Sequence, residues 1–200
     1  MQPNEIGLAY DQLTPLFNSS DFNRSYGIEQ HKRALKFVKN PASAFDVGCG
    51  CSGRIFDLLI EHGLTAKGID VSEQMVALAK ERHPTIDIIC GDICEYSFTE
   101  QYDFITAWDS IWHIPLASQQ AVMDKLVNAL APAGVLLFSF GGTENADKHV
   151  NTAMGPAMYY STLGTNGYIE LLLSKGMQLK HLEFDQFPER HGYLIAQKPE

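Results

Sequence analysis

At 200 residues, 45% hydrophobic and 20% charged, the chain has the length and apolar content of one folded domain with a sizeable core. Its formal net charge of -9, from 15 basic and 24 acidic residues with no Lys/Arg cluster, excludes a phosphate-backbone surface, so DNA and structured RNA are poor partners. No basic leader precedes an apolar stretch, and no run approaches the ~18 apolar residues of a membrane span. These features predict a cytoplasmic protein with no membrane partner.

The first 40 residues read as helical, with Ile6, Leu8, Leu13, Leu16 and Phe17 ahead of a polar break at 18–20. A second helix runs from His31 to Val38 and stops at Asn40-Pro41. From Ala44 the pattern alternates: strand 44–48, helix near 53–62, strand 65–70, helix 72–82, strand 86–90, strand 102–107, helix 118–130 and strand 134–140. Ile55, Leu58 and Leu59, and then Val122, Leu126 and Leu130, recur at helical spacing and are assigned to the core. Residues 141–165 read as an irregular, loop-like insert with four glycines, His149 and the pair Tyr159-Tyr160, and such a long segment is usually functional. A helix at 166–175 and strand-like runs at 177–184 and 192–197, joined by a turn around Pro188, close the chain. The fold class is therefore α/β: a doubly wound, Rossmann-like, seven-stranded sheet, mostly parallel with an antiparallel C-terminal hairpin strand and helices on both faces.

The most informative stretch is Asp46-Val47-Gly48-Cys49-Gly50-Cys51-Ser52-Gly53, where an apolar strand runs into a glycine-rich turn and then a helix. A side chain at Gly48 or Gly50 would obstruct a backbone that must turn sharply and lie against a ligand. Ser52 is placed to cap the helix that follows. Three acids, Asp46, Asp70 and Asp92, arrive at the carboxyl ends of three successive strands, where open α/β sheets bind ligands. Asp46, two residues before the first glycine, is expected to face the ligand and would repel a pyrophosphate but hold an ammonium or sulfonium. Cys49-x-Cys51 and Cys90-x3-Cys94 lack the usual zinc spacing and a base partner, so no metal is expected and the thiols read as small, reduced packing residues.

From about Ala44 to the C-terminus the chain resembles the class I S-adenosylmethionine-dependent methyltransferases. The resemblance rests on motifs in family order: Asp46-Val47-Gly48-Cys49-Gly50, Gly68-Ile69-Asp70-Val71-Ser72, Gly91-Asp92-Ile93, Tyr102-Asp103-Phe104-Ile105, and Leu130-Ala131-Pro132-Ala133-Gly134 through Phe138. The family loop often reads Gly-x-Gly-x-Gly; here Ser52 takes the third place. The resemblance implies S-adenosylmethionine as cofactor and a small-molecule methyl acceptor as partner; the sequence leaves both a monomer and a homodimer open. The resemblance places Asp46 and the main chain of Gly48, Cys49 and Gly50 at the methionine end, Asp70 on the ribose, and Gly91, Asp92 and the Ile93 amide at the adenine edge. Val71 and Met75 would cover the adenine, and Tyr10 resembles the tyrosine that folds over the cofactor. The pattern along the chain divides one domain into an N-terminal helical lid (1–40), a cofactor-binding core (41–140), a substrate-side insert (141–165) and a closing helix and hairpin (166–200).

The acceptor side rests on Ala107-Trp108-Asp109-Ser110-Ile111-Trp112-His113 at the end of the fourth strand. His113 is the candidate base, because an imidazole titrates near neutral pH, or else it bonds a neighbouring carbonyl. Asp109 orients a cationic acceptor or caps the following turn, and Trp108 and Trp112 are pocket walls or core, with Trp108 counted among the cofactor contacts. Met158, Tyr159 and Tyr160 either close over an acceptor or pack within the insert. His149 and Arg24 carry no assignment. The competing classes are a cofactor-binding protein without catalysis and an NAD-dependent oxidoreductase, which the glycine spacing alone would fit.

Overall fold

The structure, a computed structural model, describes residues 1–200. Its central sheet contains seven strands in the order β3-β2-β1-β4-β5-β9-β8. These are β1 (Ser43–Val47), β2 (Thr65–Asp70), β3 (Asp87–Cys90), β4 (Tyr102–Ala107), β5 (Leu130–Gly141), β8 (Gln178–Glu183) and β9 (His191–Gln197). β1 to β5 pair in parallel, and β9 alone runs antiparallel, between β5 and β8. Strand order reverses beside β1, so the carboxyl ends of β1 and β4 open a crevice between them.

Side chains alternate across the strands and divide the core into two layers. Phe45, Ile105, Leu136, Phe138 and Leu194 join the layer under α5 (Gln119–Asn128) and α6 (Gly164–Ser174). Ala44, Phe104, Val135, Leu137 and Ile195 join the opposite layer, under α2 (Ile28–Leu35), α3 (Arg54–Glu61) and α4 (Glu73–Arg82). The assigned stripe residues Ile55, Leu58, Leu59, Val122, Leu126 and Leu130 are all buried.

Two local expectations are corrected. Ser52 does not cap α3: Gly53, with φ +71°, occupies the N-cap, which leaves Ser52 one residue too early, and its hydroxyl accepts from the Arg54 guanidinium at 2.7 Å. The segment 141–165 is not a loop. It folds into an antiparallel hairpin, β6 (Asp147–Asn151) and β7 (Met158–Thr162), with Met158 packed on Ala9 and Leu13. Four of five β6 residues are exposed and polar in large part, so no alternation betrays the strand. The ends are pinned where Thr165 N–H donates to Thr143 O and Thr162 Oγ1 donates to Gly141 O.

The N-terminal helix α1 (Pro3–Phe17) lies against α4. Asp11 accepts from Ser72 Oγ at 2.5 Å and from Gln74 N–H at 3.1 Å, placing a carboxylate at the positive end of α4. Gly7 permits the contact, since a Cβ there would stand 2.6 Å from Val71 O. No helix is long and apolar enough to cross a membrane.

Candidate functional site

The loop after β1 is shaped by its glycines. Gly48 and Gly50 have φ of +75° and +57°, which L side chains rarely adopt. A Cβ at Gly48 would meet Ser110 Cβ at 2.2 Å, whereas one at Gly50 would meet nothing within 4 Å. Gly48 is thus dictated by packing, and Gly50 by a cradle that a side chain would fill. Asp70, at the tip of β2, ties the loop down: Oδ2 accepts from Gly50 N–H at 2.8 Å and Oδ1 from Ser72 N–H at 2.9 Å. Burial pushes the Asp70 carboxyl pKa up, against the lowering effect of these backbone bonds.

A cavity of about 250 Å³ lies over this loop. It brings together Tyr10, Gly48, Cys49, Gly50, Asp70, Val71, Met75, Gly91, Asp92, Ile93, Trp108, Asp109 and His113, all of which lie on its wall. Asp92 also begins a turn, its Oδ1 accepting from Cys94 N–H at 2.8 Å. Asp46 differs from expectation. It is absent from the wall and only 3% exposed, so the loop lies between it and the cavity. Burial pushes its carboxyl up to about 7, opposed by the positive charge of Arg54.

On the acceptor side, His113 is buried and bonded on both ring nitrogens. Tyr159 O can only accept, so Nδ1 carries the proton and donates to it at 2.7 Å. Nε2 therefore accepts, from Trp112 Nε1–H at 2.9 Å and from the Tyr10 hydroxyl at 2.9 Å. Burial lowers the imidazole to about 4, so the ring is neutral. The Tyr10 hydroxyl, also on the cavity wall, is in hydrogen-bond contact with Nε2. Tyr160 packs against the His113 ring at 4.7 Å, which puts the β6–β7 hairpin on the cavity wall, while Tyr159 contributes its carbonyl and holds Leu116 N–H through its hydroxyl. His149 stacks on Tyr160 at 5.0 Å.

Behind this wall Gln119 is fully buried. Its Nε2 donates to Ile111 O at 2.7 Å and to Ser161 Oγ at 3.0 Å, and its Oε1 accepts from Tyr168 O–H at 2.9 Å. Asp109 has φ +52° and is held by Ser139: Asp109 N–H donates to Ser139 Oγ at 2.7 Å, and that hydroxyl donates to Asp109 Oδ1 at 3.0 Å.

Sequence reasoning passed over Arg54, Tyr26 and Ser110, which also line the cavity. Arg54 carried a signal: a cation at the first position of a helix opposes the dipole and needs another reason to be there. It lies over the rings of Phe22 and Tyr26 and donates to Tyr26 O at 2.9 Å. Ser110 Oγ and Trp108 Nε1 are buried on the wall without a hydrogen-bond partner. An open glycine cradle and apolar faces at Val71, Met75 and Ile93 are the features a nucleoside with a polar amino-acid tail would satisfy.

A switch-point crevice with this loop and this sheet order defines the fold of the class I S-adenosylmethionine-dependent methyltransferases. Residues 44–134 match the family described as "Methyltransferase domain". It is similar to a ubiquinone biosynthesis O-methyltransferase of Coxiella burnetii, 28% identical over 150 residues, covering 69% of this chain and 62% of the relative. The chain thus spans about three fifths of that curated relative's length. The fold is similar to that of an S-adenosylmethionine-dependent methyltransferase from Clostridium acetobutylicum, with a TM-score of 0.72 at 11% identity over 98% of this chain and 99% of the other. It is also similar to an S-adenosylmethionine-bound amino pentose methyltransferase from Micromonospora echinaspora, with a TM-score of 0.65 at 16% identity over 88% and 91%.

Proposed function

We propose that the chain is a cytoplasmic S-adenosylmethionine-dependent methyltransferase acting on a small molecule. One observation carries the reading: a single cavity joins the glycine cradle and Asp70 to an aromatic half bearing Asp109 and His113. That open half favours an enzyme over a protein that only binds the cofactor. The antiparallel β9 and the acid Asp46 before the glycines weigh against a dinucleotide-dependent oxidoreductase.

In this reading the main chain of Gly48 to Gly50 holds the methionine end, with Asp46 acting through the loop as a charge beneath it. Asp70 accepts from the ribose hydroxyls. Gly91 admits the adenine closely, Asp92 and the Ile93 amide meet its edge, and Val71 and Met75 cover its faces. Tyr10 and Trp108 close the cofactor in, and α1 serves as the lid. When bound, the cofactor supplies a methyl group that is already activated, so the protein's own work is positioning and the exclusion of water. Asp109 orients the acceptor, and the Tyr10 hydroxyl passes an acceptor proton toward His113 Nε2.

Calorimetric titration with S-adenosylmethionine, S-adenosylhomocysteine and NAD tests the reading. Binding of the first two but not NAD is expected; no binding of either would refute it.

A further inference from the structure

The segment between β8 and β9, together with the first residue of β9, reaches behind the acceptor half of the cavity and supplies two residues, Asp185 and His191, that no motif marks. His191 Nε2 lies 3.0 Å from Asp109 Oδ1, and His191 Nδ1 lies 2.5 Å from Asp185 Oδ1. A carboxylate can only accept, so both ring nitrogens donate and the ring is an imidazolium. The second Asp185 oxygen accepts from Gln30 Nε2 at 2.7 Å, which anchors the row to α2. The imidazolium is buried, with the indoles of Trp108 and Trp112 at 5.3 and 5.6 Å. Burial alone would lower its pKa, but the bonds to Asp109 and Asp185 outweigh this and the net shift is upward.

Two carboxylates share one imidazolium, so the row keeps one net negative charge. The Asp185 side chain is 8% exposed and that of Asp109 is 26% exposed, so the excess charge is presented at the cavity. The same cavity wall carries the rings of Tyr10, Tyr26, Trp112 and Tyr160. The one lysine or arginine on the wall is Arg54, already engaged by Tyr26 O, Ser52 Oγ and two aromatic rings. Aromatic faces around a fixed carboxylate recognise a cation. A hydroxyl would gain only a hydrogen bond there, and a carboxylate would be repelled.

We propose that His191 and Asp185 are positioning residues that clamp Asp109 as a cation-docking group, and that this makes the acceptor an amine. The proposal rests on the methyltransferase reading above and narrows its substrate class. His191 and Asp185 act through Asp109 without touching the ligand.

The test uses the full chain saturated with S-adenosylhomocysteine and titrated with phenethylamine, phenethyl alcohol and phenylacetate, three probes sharing one ring. The amine is expected to bind about tenfold more tightly than the alcohol, and phenylacetate weakest. Asp109→Asn should bring amine and alcohol to within about twofold. His191→Gln should weaken the amine about fivefold while the alcohol and S-adenosylhomocysteine change less than about twofold, a split that simple loss of structure would not produce. Should His191→Gln fail to fold, Asp185→Asn keeps the ring and is expected to lower amine affinity selectively. An unchanged amine preference in the folded variants, a preference for alcohol or carboxylate, or binding of none of the probes by wild type overturns the proposal. Failure of wild type to bind S-adenosylhomocysteine would instead overturn the methyltransferase reading.

Discussion

Asp70→Ala removes one carboxylate that serves two purposes, and the structure separates their magnitudes. The variant loses the bonds from Gly50 N–H at 2.8 Å and Ser72 N–H at 2.9 Å. A hydrogen bond to a charged acceptor contributes about 1.5–3 kcal/mol when buried. Gly50 lies on the cavity wall, where water can reach its freed N–H, so a total loss near the lower end, about 2–3 kcal/mol, is expected. For a domain of this length that is a Tm decrease of roughly 4–12 °C. Binding should suffer separately, because the ribose loses its acceptor and the glycine loop its anchor: about 10- to 100-fold in the Kd for S-adenosylhomocysteine, or roughly 1.4–2.8 kcal/mol. Asp70→Asn divides the two effects, since the amide oxygen still accepts from one backbone donor while the charge is gone. It should recover about half of the lost stability and little of the affinity. Thermal melts with and without S-adenosylhomocysteine, and calorimetry at 25 °C, give both quantities. A lowered Tm with unchanged affinity would make Asp70 a scaffold residue and refute its place on the ribose.

The two cavity glycines should fail differently. Gly48→Ala meets Ser110 and should lower Tm sharply, whereas Gly50→Ala bears only the ~1–2 kcal/mol backbone strain of a left-handed residue. It should fold yet lose S-adenosylhomocysteine binding; full binding by Gly50→Ala would show that the ligand does not lie in the cradle. His31 and His113, both lowered from 6.5 to about 4 by burial, bind fewer protons folded than unfolded between those values. Their stabilisation is complete above pH 6.5 and is lost as pH falls toward 4, so His31→Asn should flatten the acid limb of a Tm–pH curve by up to about 2 kcal/mol at pH 5. A limb of the same slope in that variant would contradict a neutral buried ring. Asp46, raised to about 7, has the opposite sign: its folded form holds a proton the unfolded chain has released, and stability falls as pH rises from 4 toward 7. Asp46→Asn should therefore raise the Tm of the ligand-free protein at pH 8. It should also abolish a gain in S-adenosylmethionine affinity between pH 6 and 8, because a cation above the loop favours the ionised acid; a pH-independent wild-type affinity would remove Asp46 from the binding account.

The sheet was legible because its strands and helices keep clean periods. Ile55, Leu58 and Leu59 mark a helical stripe, and the glycine and acid positions mark the switch point. The hairpin was illegible because β6 exposes four of five residues, and its one buried hydrophobic partner, Met158, packs on α1, 145 to 149 positions earlier in the chain. Asp46 was read as facing a ligand from its distance to Gly48, but Gly48 turns the chain at φ +75° and leaves Asp46 beneath the loop. His191 and Asp185 carried no local signal at all. Their meaning arises only when β9 inserts beside β5 and carries His191 opposite Gly141, near the end of β4 where Asp109 stands.

Gln119 meets no ligand, yet it fastens the turn carrying Trp112 and His113, the strand carrying Tyr160, and α6 to a single amide. The two aromatic walls are thereby geared together. A change at Gln119 or Tyr168 would loosen the tie between the two walls while every residue on the cavity surface kept its identity. Descendants of this chain can drift in acceptor size by altering that hidden joint, and a comparison of wall residues alone would find them identical.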